Sequence, residues 1–138
     1  MKKFELTSET KINIFGKKLF RIKALISFAD VEAGETGGWV EKEGNVNQSG
    51  NAWVYGNAIV SGDAEVYGNA DYTTIHGFGT QFRTTTFFRC KDKKVRVACG
   101  CFFGTIPEFR EQVKNTRKGK IAEEYLMIAD LMEKHFEK

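Results

Sequence analysis

Residues able to move protons, bind metal or act as nucleophiles are sparse in this chain. Its histidines are His76 and His135, and a histidine base works only within hydrogen-bond reach of the proton it removes. His135 falls near the C-terminal end of an expected helix, where the dipole favours the imidazolium without any catalytic role. That leaves His76, between Ile75 and Gly77, as the candidate base. Cys90, Cys99 and Cys101 are odd in number and close together, which is not a disulfide framework. Cys99 and Cys101 offer two zinc ligands, but a structural site takes four and the sequence has no second close pair. No base stands beside these thiols in sequence to make a thiolate nucleophile. The expectation is no metal, no cofactor and reduced thiols that are buried.

Binding chemistry is better represented. The segment Gly100 to Thr105 runs into an expected helix, whose free amides and positive dipole end suit a phosphate or carboxylate. Arg83 and Arg89 lead toward it, and Thr84, Thr85 and Thr86 add hydroxyl donors. Between Arg83 and Arg96 six basic residues face one acid, Asp92, so this stretch carries a local positive field. Trp53, Tyr55 and Tyr67, at outward positions, offer rings for stacking. The candidate ligand-binding set is Arg83, Thr84, Thr85, Arg89, Gly104, Thr105, Trp53 and Tyr55, with both arginines expected at the surface. Each has a plain alternative: a solvated hairpin for the charges, a helix cap for Thr105, strand preference for the threonines.

The elements that must position these groups begin with a repeat. Six hexapeptides start at Gly38, Gly44, Gly50, Gly56, Gly62 and Gly68, with Asn45, Asn51, Asn57, Asp63 and Asn69 next to five of them. Gly and Asn tolerate tight or left-handed backbone, so a turn is expected every six residues. Position three runs Val40, Val46, Ala52, Ala58, Ala64, Ala70, and position five becomes Val54, Val60, Val66, Tyr72. Two apolar residues spaced by two share one face of a short strand. The spacing therefore predicts a β-solenoid over residues 38–73, with Val54, Val60 and Val66 pointing inward. At about 18 residues per coil this gives about two coils, too few to cover their own ends. Flanking segments or further copies of the chain must close them.

Before the repeat, 11–15 and 18–27 read as a hairpin about Gly16 and Lys17, with Phe20, Ile22, Ala24 and Ile26 opposite Leu19, Arg21, Lys23 and Leu25. After it, 84–90 and 95–99 form a second hairpin across Lys91 to Lys94. Thr105 and Glu108 make a capping box with Pro107 allowed in the first turn. Gly119 ends that helix, and Ile121 to Phe136 continues as a second. The fold class is mainly β with C-terminal helices, organised as a cap over 1–37, the repeat over 38–73 and a hairpin with two helices over 74–138.

Residues 26–63, with their FADV, GETGGWV and GNAIV elements, resemble YdcK-type hexapeptide-repeat proteins and depart from them at Glu35, between Gly34 and Thr36. The resemblance implies a left-handed β-helix of the trimeric acyltransferase-like class. For an acyltransferase it would make His76 the base. The runs TTFFR and CGCFFGTIPEF are similar to the tails of small phage and prophage proteins. That likeness implies sequestration of a host signalling nucleotide.

Composition limits the alternatives. With 41% hydrophobic and 28% charged residues, the 138-residue chain suits one compact unit, not a disordered or membrane-inserted segment. Met1 to Glu5 precede no apolar run of signal length, so the cytoplasm is the expected location. A net charge of +3 is too small to argue for nucleic acid. The functional expectation is a non-catalytic binder of a small anionic, nucleotide-like ligand, assembled as a homotrimer or higher homo-oligomer. An acyltransferase and a purely structural assembly protein are the alternatives.

Overall fold

The computed structural model describes residues 2–13, 16–68, 71–78, 83–99 and 102–137, with the side chain of Arg83 outside that set. Strands β1 (Phe4–Ile12), β2 (Lys18–Ala24), β3 (Thr36–Val40) and β4 (Ile59–Val60) form one sheet in that order. Strands β5 (Tyr72–Phe78), β6 (Arg83–Arg89), β7 (Val95–Cys99) and β8 (Phe102–Thr105) form a second, an antiparallel meander. Helices α1 (Ile106–Thr116) and α2 (Gly119–Phe136) follow.

Both sheets are open four-stranded sheets, and neither is curled or closed. This overturns the hexapeptide-repeat β-helix expected for residues 38–73 and the left-handed, acyltransferase-like fold that the resemblance implied. The physical reason lies in the register. Parallel pairing does occur, as Trp39 with Ile59, Val40 with Val60 and Val46 with Val66, but partners are 20 residues apart, not 18. Six-residue units therefore do not stack on one another, and the β3–β4 ladder ends after two pairs. On one side β2 takes β3 as an antiparallel neighbour; on the other, Ala64 bridges antiparallel to Cys90. The repeat glycines are not equivalent either. Gly50, Gly56 and Gly62 have positive φ, whereas Gly37 and Gly38 are needed for space, since a Cβ on either would lie 2.6–2.7 Å from Val54 atoms.

The apolar positions of the repeat nonetheless form a core. Val54, Val60 and Val66 are buried, together with Val40, Val46, Ala52, Ala58 and Ala64. Fully burying one such valine is worth about 1.5–3 kcal/mol. Asn45 is the polar pin within this core. Its Oδ1 accepts the N–H groups of Glu41 and Lys42, and its Nδ2 donates to the carbonyls of Gly62 and Ala64 at 3.1 and 3.2 Å. All four of its hydrogen-bonding capacities are used, which is how a buried amide is tolerated.

Both flanks contain a hairpin, but the first one's strands are Phe4–Ile12 and Lys18–Ala24 where 11–15 and 18–27 were expected, and β5 and β8 extend the second into a four-stranded meander. In β2, Leu19 and Ile22 are both fully buried, so strict alternation fails, and register shifts in both of its pairings accommodate this. The second sheet separates two apolar layers. Tyr72, Phe88 and Cys90 face the repeat core, whereas Phe87 and Val97 face Phe109, Val113, Tyr125 and Met132 of the helices. Successive strand side chains point to opposite faces, so adjacent Phe87 and Phe88 serve the two layers.

Candidate functional site

Two cavities of similar size bear on function. The first, about 620 Å³, lies where β5 meets the 29–36 loop and the 51–55 segment of the repeat. Its loop is shaped by Ala29 at φ +47 and Gly34 at φ +92. Phe28 and Val31 exchange two backbone hydrogen bonds of 2.8–2.9 Å, and the Ser27 hydroxyl accepts the Ala33 N–H. Trp53 lines the cavity, buried and edge-on to Phe28 with centroids 5.5 Å apart. Tyr55 lines it as well, 65% exposed and edge-on to the buried Tyr72. Thr36, Asn51, Thr73 and Thr74 complete a polar wall, and Asp30 and Glu35 are the ionisable lining carboxylates. No lysine or arginine lines it among the described residues. Burial and the neighbouring Tyr55 hold the Tyr72 phenol far above its ordinary range, so it stays neutral.

The second cavity, a groove of about 600 Å³, joins Arg89, Lys93 and Lys94 to the first turn of α1 and the end of α2. It thus unites Arg89 with Thr105, as the sequence pattern suggested. The chemistry there differs from the expectation. Arg89 is not a surface side chain; it is 12% exposed, and its guanidinium is ion-paired to Asp71 at 3.2 Å. It also donates to the carbonyls of Lys93 and Phe136, each at 3.1 Å, and lies over the Phe136 ring. Three of its five donors are already committed inside the fold. The helix end is likewise occupied from within. The Thr105 hydroxyl accepts the Glu108 N–H, and the Glu108 carboxylate accepts the Thr105 N–H at 2.9 Å. These bonds hold the Glu108 carboxyl below its ordinary range, placing a fixed negative charge where an anion would bind. Gly104 serves that cap, because a Cβ would come within 2.9 Å of Phe102 and 3.1 Å of Glu108 Oε1.

The remaining candidates are dispersed. Thr84 contacts His76 Nδ1 at 3.1 Å on an exposed stretch of β5 and β6, away from both cavities. Thr85 is fully buried and donates to Cys99 Sγ at 3.0 Å. Thr86 accepts the Ile59 N–H, joining the two sheets. The Arg83 side chain, Gly100 and Cys101 lie outside the described residues. Trp53 and Tyr55 share a cavity with each other but not with Arg89 or Thr105. Burial pushes the Cys90 thiol up to about 11, the wrong direction for a nucleophile. Among the described residues no group of three metal-ligating side chains occurs, and no helix is long and apolar enough to cross a membrane.

No protein-family model and no curated protein matches this chain. Functional inference therefore rests on the cavities themselves. In the first of them, sequence pattern had marked Trp53 and Tyr55, whereas Asp30, Glu35 and Thr73 gave no signal. They stand 18 to 25 residues from the aromatic pair along the chain, and packing alone brings them together.

Proposed function

We propose that this protein is a non-catalytic binder of a small ring-bearing molecule, held in the cleft of Trp53, Tyr55 and Tyr72. One observation carries the reading: an exposed tyrosine lines a cleft of about 620 Å³ whose ionisable lining groups include Asp30 and Glu35. Pockets of this size suit metabolite-sized ligands, with aromatic walls for area and a few polar groups for orientation. A planar ring would stack on Tyr55 while Thr36, Asn51, Thr73 and Thr74 orient its polar edge. The two carboxylates favour ligand amines or hydroxyls and repel phosphate. The ligand class is thus a neutral or cationic ring compound, such as a nucleoside or an aromatic amine, in preference to a polyanion.

A second reading keeps the anionic, nucleotide-like ligand, in the groove where exposed Lys93 and Lys94 lie beside the first turn of α1. It has fewer free donors, given the commitments of Arg89 and Glu108. Calorimetric titration with matched nucleosides, nucleotides and aromatic amines separates the two. The expected result is binding of the uncharged or cationic compounds, weakened by about 1–3 kcal/mol in Tyr55→Ala, the usual worth of one aromatic stacking partner. Binding confined to the nucleotides and abolished by Lys93→Ala/Lys94→Ala would select the groove. No heat from any compound would leave a structural role.

A further inference from the structure

Helix α2 has a second face. Its inner face is buried in the core, but Met127 and Leu131, four residues apart and therefore adjacent on the surface, are 70% and 59% exposed. Isolated exposed apolar residues need no explanation. These two, however, are bracketed by charge of opposite sign, with Glu123 and Glu124 one turn before Met127 and Lys134 one turn after Leu131. A two-fold axis between Met127 and Leu131 would set Met127 against Leu131 of a second copy and Glu124 against its Lys134. A parallel arrangement would oppose Glu124 to Glu124 and Lys134 to Lys134. The stripe is thus complementary to itself in the antiparallel orientation and repulsive in the parallel one.

We propose that this face of α2 is the contact surface of a symmetric, antiparallel pair of chains, each covering the other's Met127 and Leu131. A two-fold contact is isologous and closes on itself, and it does not depend on the ligand reading above. The present partner of Lys134 is Glu137 at 3.6 Å, with both side chains more than 60% exposed. Such a surface pair contributes little and exchanges readily for an intermolecular one. From Glu124 to Lys134 the stripe runs only about 15 Å at 1.5 Å per residue. The area covered is therefore below that of a standard interface, and association is expected to be weak and concentration-dependent.

Sedimentation equilibrium of the full chain over a wide concentration range tests this. The weight-average mass should climb from 15.6 kDa toward twice that value. Leu131→Glu, and independently Met127→Glu, should hold the chain at monomer mass throughout, with circular dichroism showing that each variant folds. Glu124→Lys or Lys134→Glu alone should weaken association about tenfold or more, since each opposes like charges twice across the axis, and the double exchange should restore it to within about threefold. A native chain that remains monomeric overturns the proposal. So do association that survives both glutamate variants and a double exchange no tighter than the single ones.

Discussion

Lys3 shows what a single buried charge does in this fold. It is 1% exposed, and its Nζ donates to the carbonyls of Ala52 at 2.5 Å and Gly50 at 3.3 Å, over the ring of Phe28. No carboxylate faces it among its described contacts, and desolvation lowers its pKa below 10.5. The folded state therefore holds this proton less tightly than the unfolded chain. Its unfavourable contribution is fully present below the lowered value and fades as pH climbs toward 10.5. Urea unfolding of native and Lys3→Met proteins at a series of pH values should show the difference between them shifting in favour of the native chain as pH rises. A pH-independent difference would mean that Lys3 titrates alike in both states. At the same scale, Asn45 illustrates a polar group whose burial is legible only afterwards: of the four Asn or Asp residues described in that repeat position, it is Asn45 that is buried, while Asn51, Asn57 and Asp63 are exposed.

At the scale of elements, the helix start at Thr105 and the hairpin over 84–99 were readable because local chemistry decides them. A capping box needs only Thr105 and Glu108 three residues apart, and both of its hydrogen bonds form. Thr105→Ala should cost about 0.5–2 kcal/mol of stability, measured by thermal or urea unfolding, while a purely surface role for Thr105 would leave the midpoint unchanged. The same cap sets the Glu108 carboxylate against the first turn of α1, at the place where the sequence pattern suggested an anion. The solenoid expected over residues 38–73 fails at this scale. Its turns and inward residues are local properties and are present, but a solenoid requires coils of equal length to stack, and the 20-residue offset defeats that.

Across the whole molecule, Arg89 is the tie between layers. It starts in β6, pairs with Asp71 just before β5, and reaches the Phe136 carbonyl at the end of α2. Arg89→Ala should destabilise the fold by roughly 2–4 kcal/mol, because it strands a largely buried Asp71 and frees the α2 terminus. Arg89→Lys should rescue little, since an ammonium cannot span the three acceptors as the planar guanidinium does. Unfolding midpoints equal to native for the alanine variant would show that Arg89 is only a surface cation. This reverses the expectation that Arg89 lies at the surface.

The amino-acid sequence by itself determined the turns, the hairpin over 84–99, the helix cap and the identity of the core valines, because each depends on residues within a few positions of one another. Tertiary structure alone decided that the repeat opens into two sheets instead of coiling. It also decided that Arg89 is spent on structure and that Asp30, Glu35 and Thr73 gather around Tyr55. Those outcomes turn on register and on contacts between distant segments, where one strand's choice of neighbour depends on all the others, and no local spacing encodes it.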